Sequence, residues 1–390
     1  MWLSNILESI RGRRRAASDI DARDAQTPDV GSASGDGAPP THSGRILLSH
    51  ALEGSILHAP DSQAAFPAFI VAGRKRQATC SDVAWFRGNH LATVNLYGRH
   101  LRIYRLHEDS DGAPTRLELL HEKGDVAAPE GVAVSRGGTM LAVSHSMSDE
   151  FGVTLQAIGD NSLAPGPAEI LCKGRAGCAF HGVNFSPDGR HIAYTVVGRA
   201  PSIEVVQLDS RETTCRIGNL PPPLTPKSIA FSADGRFALV AHGLNAAPTD
   251  LGNAHGGMLT VHRFDARAGS LEADPVAEYR APKSALCFVD MSTFLPTKNG
   301  ETYRILVADQ GADLIPTFSF NAAGGTLVPD GVFAENLSFP HGIDARADGR
   351  YVAITTYGND SLHIATAAPV LRARPVPRFP FSEYLGVGGV

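Results

Sequence analysis

Short apolar runs, each broken by a tight polar turn, recur from about residue 80 to the C-terminus. Within the runs the pattern alternates in twos, the period of β-strands, and the 3.6-residue helical period is missing. The clearest stretch is 180–196, FHGVNFSPDGRHIAYTV: a strand, a Ser-Pro-Asp-Gly turn and a second strand. Related phrases stand at 226–241 (PKSIAFSADGRFALVA), 340–354 (PHGIDARADGRYVAI), 129–143 (PEGVAVSRGGTMLAV) and 81–94 (SDVAWFRGNHLATV). A sixth copy starts at 282 (PKSALCFVDM), its turn expanded before YRILVADQ.

The turn residues give the mechanism. Pro187 presets one turn dihedral, Asp188 suits the next position, and Gly189 closes the corner. Each copy is therefore a predicted β-hairpin, followed by a third strand (GMLTVHRF after RFALVAHG) and a weaker fourth, such as RLELLHE at 116–122. Four antiparallel strands per ~50 residues make the blade of a β-propeller. Six units fill 82–390, and 44–81 holds three more strand-like segments (GRILLSH, GSILHAP, FPAFIVAG). A seventh blade is expected from these, completed by the C-terminal PFSEYLGVGGV, because closing a ring with strands from both ends removes the exposed edge. The expectation is an all-β, seven-bladed propeller over 44–390 after a disordered segment, 1–43.

That segment is set apart by composition. Residues 16–43 are rich in Gly, Pro, Ala and Asp and bury too little apolar surface to offset ordering entropy. Before them, Trp2, Leu3, Ile6, Leu7 and Ile10 fall at helical spacing ahead of Arg11, Arg13, Arg14 and Arg15. A short amphipathic helix there could touch a membrane surface or a partner; a frayed terminus is the plainer alternative. No run of ~18 apolar residues suggests a membrane span. A net charge of -5 argues against nucleic-acid binding. The five cysteines form no CxxC, so reduced thiols in a cytoplasmic setting are expected.

The phrases FSPDGRHIAYTV and FSADGRFALVAHG, with VNLYGRHLRIYRL and TTYGNDSLHIATA, resemble the seven-bladed lactonase-type propellers, which include 6-phosphogluconolactonase-like and quinoprotein-like repeats. The likeness covers roughly 80–370 and rests on blade-building motifs. It implies a hydrolase opening a small, sugar-derived lactone. The alternative is a non-catalytic scaffold that binds a protein or small ligand on one face.

Chemistry is sought where the repeats differ. The residue before the Gly or Ser of each first strand changes type while its frame repeats: Asp82, Glu130, His181, Lys227, Lys283 and His341. The first strand of a blade lines the central channel, so these anchors are expected to ring its mouth. Buried charge is costly unless paired, and a wet mouth tolerates it. Glu130, His181, His341 and Asp82 are the candidate acid–base residues, and a divalent metal among them is possible chemistry. Lys227 and Lys283 could neutralise an anionic substrate or oxyanion. The same residues could equally do no more than solvate the mouth. A second set follows the next strands: Asn95, Tyr97, His145, His242, Asn245, Asp309, Gln310, Tyr357 and Asn359. Of these, His145, His242, Asp309 and Tyr357 are the substrate-binding candidates. The long loop 242–257, with Asp250, Asn253 and His255, could act as a lid. No GxSxG, P-loop, HExxH or Rossmann fingerprint is present.

Overall fold

A computed structural model describes residues 81–367, apart from 147, 161, 219–223, 245–256, 282–288, 296–299 and 358–360, together with the strands Gly54–His58 and Ala68–Gly73. The described strands form six antiparallel sheets, so the propeller has six blades and not the expected seven.

Blade 1 runs from its inner strand Asp82–Phe86 through His90–Asn95 and His100–Glu108 to Pro114–Lys123. The inner strands of blades 2 to 6 are Pro129–Val134, Cys178–Phe185, Leu224–Phe231, Val289–Leu295 and Pro340–Ala345. Blade 6 draws only three strands from its own end of the chain. Ala68–Gly73 pairs antiparallel with Ser361–Thr366 as its fourth strand, and Gly54–His58 adds a fifth. The N-terminal strands thus extend the last blade's outer edge rather than start a blade. The C-terminal segment expected to complete a seventh lies outside the described residues, as do 1–43.

Packing explains the period of two. Ala84 and Phe86 join the core shared with blade 2, while Val83 and Trp85 join the core shared with blade 6. Alternate residues of one strand feed two interfaces, so both faces are apolar. Six such cores lie one between each pair of neighbours around the closed ring. Each fully buried Leu, Ile or Phe contributes ~1.5–3 kcal/mol.

The Asp-Gly-Arg turns do more than reverse the chain. Gly189, Gly235 and Gly349 adopt positive φ, as a tight corner needs. Asp188 and Asp234 accept hydrogen bonds from Ser186 and Ser232, both at 2.6 Å. The arginines then reach the next blade: Arg190 donates to the Ala266 carbonyl, Arg236 to Gly300 and Arg350 to Gly112. In blade 6, Arg346 replaces the serine and clamps Asp348 at 2.7 Å and Glu108 of blade 1 at 2.8 Å, on the seam where the ring closes.

Candidate functional site

The His-Gly and Glu-Gly pairs have a steric cause. A Cβ on Gly182 would lie 2.6 Å from the Ser228 Cα of the next inner strand, and one on Gly131 would lie 2.3 Å from the His181 carbonyl oxygen. Only glycine lets neighbouring inner strands approach so closely. A hydroxyl on each second strand pins the approach. Thr195 accepts from the Gly182 N–H at 2.9 Å and donates to the Lys227 carbonyl at 3.0 Å. Ser144 links Gly131 to His181 in the same way, and Thr355 links Gly342 to Ser81.

This repeated clip fixes the register and corrects the alignment at two positions. Ser81, not Asp82, is the blade 1 anchor, because Thr355 bonds the Ser81 carbonyl as Thr195 bonds that of Lys227. Ala84 pairs with Ala92, where blade 2 pairs Ala133 with Ala142, so the blade 1 hairpin is one residue shorter. Asp82 therefore sits one step further along its strand. In blade 5 the described part of the inner strand is Val289–Leu295, and pairing of Val289 with Asp309 matches that of Pro129 with His145. The anchor position there falls to Asp290; Lys283 lies outside the described residues. So do Asn245, Asp250, Asn253, His255 and Asn359.

Three anchors converge. Single ligand-type atoms of Glu130, His181 and His341 all lie within 4.8 Å of one another, and their exposures are 4, 5 and 2%. Glu130 Oε1 stands 3.1 Å from His341 Nε2 and 3.8 Å from His181 Nε2. Glu130 belongs to blade 2 and His341 to blade 6. The carboxylate meets His341 across blade 1, whose anchor is the small Ser81. The two imidazoles stack at 5.7 Å, and the Tyr357 ring lies 4.2 Å from that of His341. Tyr357 donates its hydroxyl hydrogen bond to Glu130 Oε1 at 3.2 Å. The Nδ1 of His341 lies 2.5 Å from the Ser81 carbonyl, an acceptor, so that nitrogen carries the proton and Nε2 is turned to Glu130. Tyr97, 43% exposed and 5.9 Å from Tyr357, reaches towards solvent; partial burial, then the Glu130 charge, pushes its phenol up to about 12.

The other candidates have these surroundings. Lys227 is buried on the same ring. His145 spans the Ala127 carbonyl at 2.5 Å and the Thr154 hydroxyl at 2.9 Å. His242 meets the Thr260 hydroxyl at 2.9 Å, and burial pushes its imidazole down to about 3. Both histidines serve their own blades. Asp309 accepts from Gly311 N–H at 3.1 Å within its own turn.

Below the anchors lies a cavity of about 80 Å³, lined by inner-strand residues including Asp82, Asn184, Ser228, Ser292, Thr293 and Asp344. Asp82 accepts from the Val132 N–H at 2.9 Å and Asp344 from the Trp85 N–H at 2.8 Å, so each carboxyl ties its strand to a neighbour. Desolvation raises both to about 7. Asp344 went unremarked in the sequence, although its signal was there: it replaces the Ala133, Asn184 or Ala230 of the other copies.

Fold and site define a six-bladed β-propeller with a buried carboxylate–imidazole cluster at one end of its channel. Solved structures share the fold. A gluconolactonase from Xanthomonas campestris is 16% identical at a TM-score of 0.50, covering 84% of this chain and 98% of that one. An auxiliary nutrient binding protein from Bacteroides thetaiotaomicron is 12% identical at a TM-score of 0.51, covering 74% and 69%. At these identities the likeness is one of architecture. No protein-family model matches the chain, and no curated protein matches it in sequence.

Proposed function

We propose that this propeller is a hydrolase that opens a small lactone at the anchor end of its channel. The observation that carries the reading is the convergence of Glu130, His181 and His341, the one such trio among the described residues. Folding brings two imidazoles and a carboxylate from three blades to one buried point. Core packing does not need that arrangement, and desolvation penalises it.

In the proposed reaction the trio holds and deprotonates a water. The resulting hydroxide adds to the lactone carbonyl carbon, giving a tetrahedral oxyanion. Collapse breaks the ring C–O bond, and the departing alkoxide takes a proton to yield the open hydroxy acid. Lys227, on the same ring, is assigned to the developing negative charge. Tyr97 and Tyr357 are assigned to the ring of the substrate, which their faces suit. A scaffold would instead offer a broad apolar face. Among the described residues the large exposed hydrophobics are Tyr97, Ile170 and Val328, on three different blades. That scatter favours a pocket over a docking surface.

The test is a panel of γ- and δ-lactones, phosphorylated sugar lactones included, assayed on wild type, Glu130→Gln and His181→Ala. Turnover that falls at least ~100-fold in both folded variants supports the reading. Absence of turnover across the panel, or turnover indifferent to both substitutions, removes it.

A further inference from the structure

We infer that Glu130, His181 and His341 form a binding site for one divalent transition-metal ion, with Zn²⁺ as the reference species. The inference stands whether or not a lactone is the substrate, because it concerns the donor set alone.

Spacing is the first argument. Ligands ~2.1 Å from a common ion stand ~3.0–3.4 Å apart in tetrahedral or octahedral geometry. Glu130 Oε1 lies 3.1 Å from His341 Nε2 and 3.8 Å from His181 Nε2. The widest separation in the trio is no more than 4.8 Å.

The outer contacts are the second. A metal-bound histidine usually gives its other ring N–H to a carbonyl, which fixes the tautomer and the ring plane. His341 does so with Ser81 at 2.5 Å. His341 Nε2 and the Glu130 carboxylate then face each other in a buried setting, where a cation between them, a metal ion or the proton of an imidazolium, satisfies both. Tyr357 holds the carboxylate from outside through its 3.2 Å hydrogen bond, as a second-layer partner would. Three protein ligands leave at least one coordination position for water.

Donor type selects the ion. Imidazole suits Zn²⁺, Co²⁺ and their neighbours, whereas Ca²⁺ and Mg²⁺ prefer all-oxygen shells. The other buried histidines supply no rival trio among the described residues. His145, His242 and His262 each face a threonine hydroxyl at 2.9 Å.

The experiment strips the full-length chain with a chelator, confirms the fold by circular dichroism, and titrates Co²⁺, then Zn²⁺ in competition, with Ca²⁺ as control. The expected result is one Co²⁺ per chain, d–d absorption without a sulfur-to-cobalt charge-transfer band, and Zn²⁺ binding at least ~100-fold tighter than Ca²⁺. Glu130→Gln and His181→Ala should each weaken Co²⁺ binding by ~100-fold or more, and Tyr357→Phe by about 10-fold. If His181→Ala does not fold, Glu130→Gln, which keeps the side-chain size, carries the test alone. A folded wild type that binds neither ion overturns the inference, as does binding that both substitutions leave unchanged. Metal bound without lactone turnover would keep this site and remove the proposed reaction. Turnover by the stripped chain, with no ion taken up on titration, would keep the reaction and overturn the metal site.

Discussion

His341 and His242 are both buried, both sit near the anchor end of a blade, and both looked like site residues in the sequence. Their surroundings separate them. His242, on a second strand, faces Thr260 inside its own blade, and burial holds it neutral with its imidazole near 3. His341, on an inner strand, has its far nitrogen fixed by the Ser81 carbonyl and its near one turned to a carboxylate from another blade. Burial alone therefore does not mark a site. What marks it is the strand: the irregular register of the inner strand between Pro340 and Ile343 frees the His341 position from ladder pairing, and blade 2 has the same irregularity between Pro129 and Val132.

The sharpest way to break that comparison is Glu130→Gln. Removing the charge that both site histidines face should lower kcat/KM on the best lactone by ~10²–10³ while the thermal midpoint holds or rises, since the cost of burying a charged carboxylate disappears and the amide keeps an oxygen for the Tyr357 hydroxyl. Next is Gly182→Ala, which tests whether the clip positions the site. Its Cβ would stand 2.6 Å from the Ser228 Cα, so stability should fall by about 2–3 kcal/mol in urea unfolding, with activity lost in step.

His242→Ala should sharpen the contrast from the other side. It empties a packed position and removes one hydrogen bond, costing about 1–2 kcal/mol with turnover unchanged. It also changes the pH dependence in a defined direction. With the folded imidazole near 3 and its ordinary value 6.5, the unfolded chain takes the proton first as pH falls. The stability held through neutral His242 is complete above about 6.5 and is lost towards pH 3, and the variant should show a shallower loss over that window.

Asp344→Asn should have the opposite slope and the smallest effect. Desolvation raises its carboxyl from 3.8 to about 7, so the folded chain holds the proton longer and wild-type stability falls as pH rises through that interval. The asparagine variant should gain about 1 kcal/mol above pH 7 and nothing below pH 4, the gain tempered by the waters that its cavity has room for. Chemical denaturation across pH reads both slopes.

Much of this fold is legible in the chain because each blade repeats its own signals: alternation in twos, an Asp-Gly corner and a Gly after the anchor. The blade count is not, because Ala68–Gly73 reads as a strand equally well whether it opens a blade or closes the last one. Register failed at blade 1 for a local reason. A hairpin one residue shorter keeps its turn but shifts Ser81 into the place assigned to Asp82. The blade 5 phrase PKSALC looked like an inner strand; it lies outside the described residues, and the described inner strand is Val289–Leu295. Polar character at the anchors was readable. That Glu130 would meet His341 across blade 1, with Tyr357 bonded to the same oxygen, depends on the curvature of the closed ring, which no local pattern encodes.

One paired measurement tests the central claim most directly. Glu130→Gln and His242→Ala would be purified side by side, and thermal midpoint and Co²⁺ binding read on each. The account predicts opposite losses: Glu130→Gln keeps its midpoint and loses the ion, while His242→Ala loses several degrees and binds Co²⁺ as wild type does. If both variants lose stability and neither changes Co²⁺ binding, the inner-strand cluster is structural like its second-strand counterparts, and the site proposed here is not one.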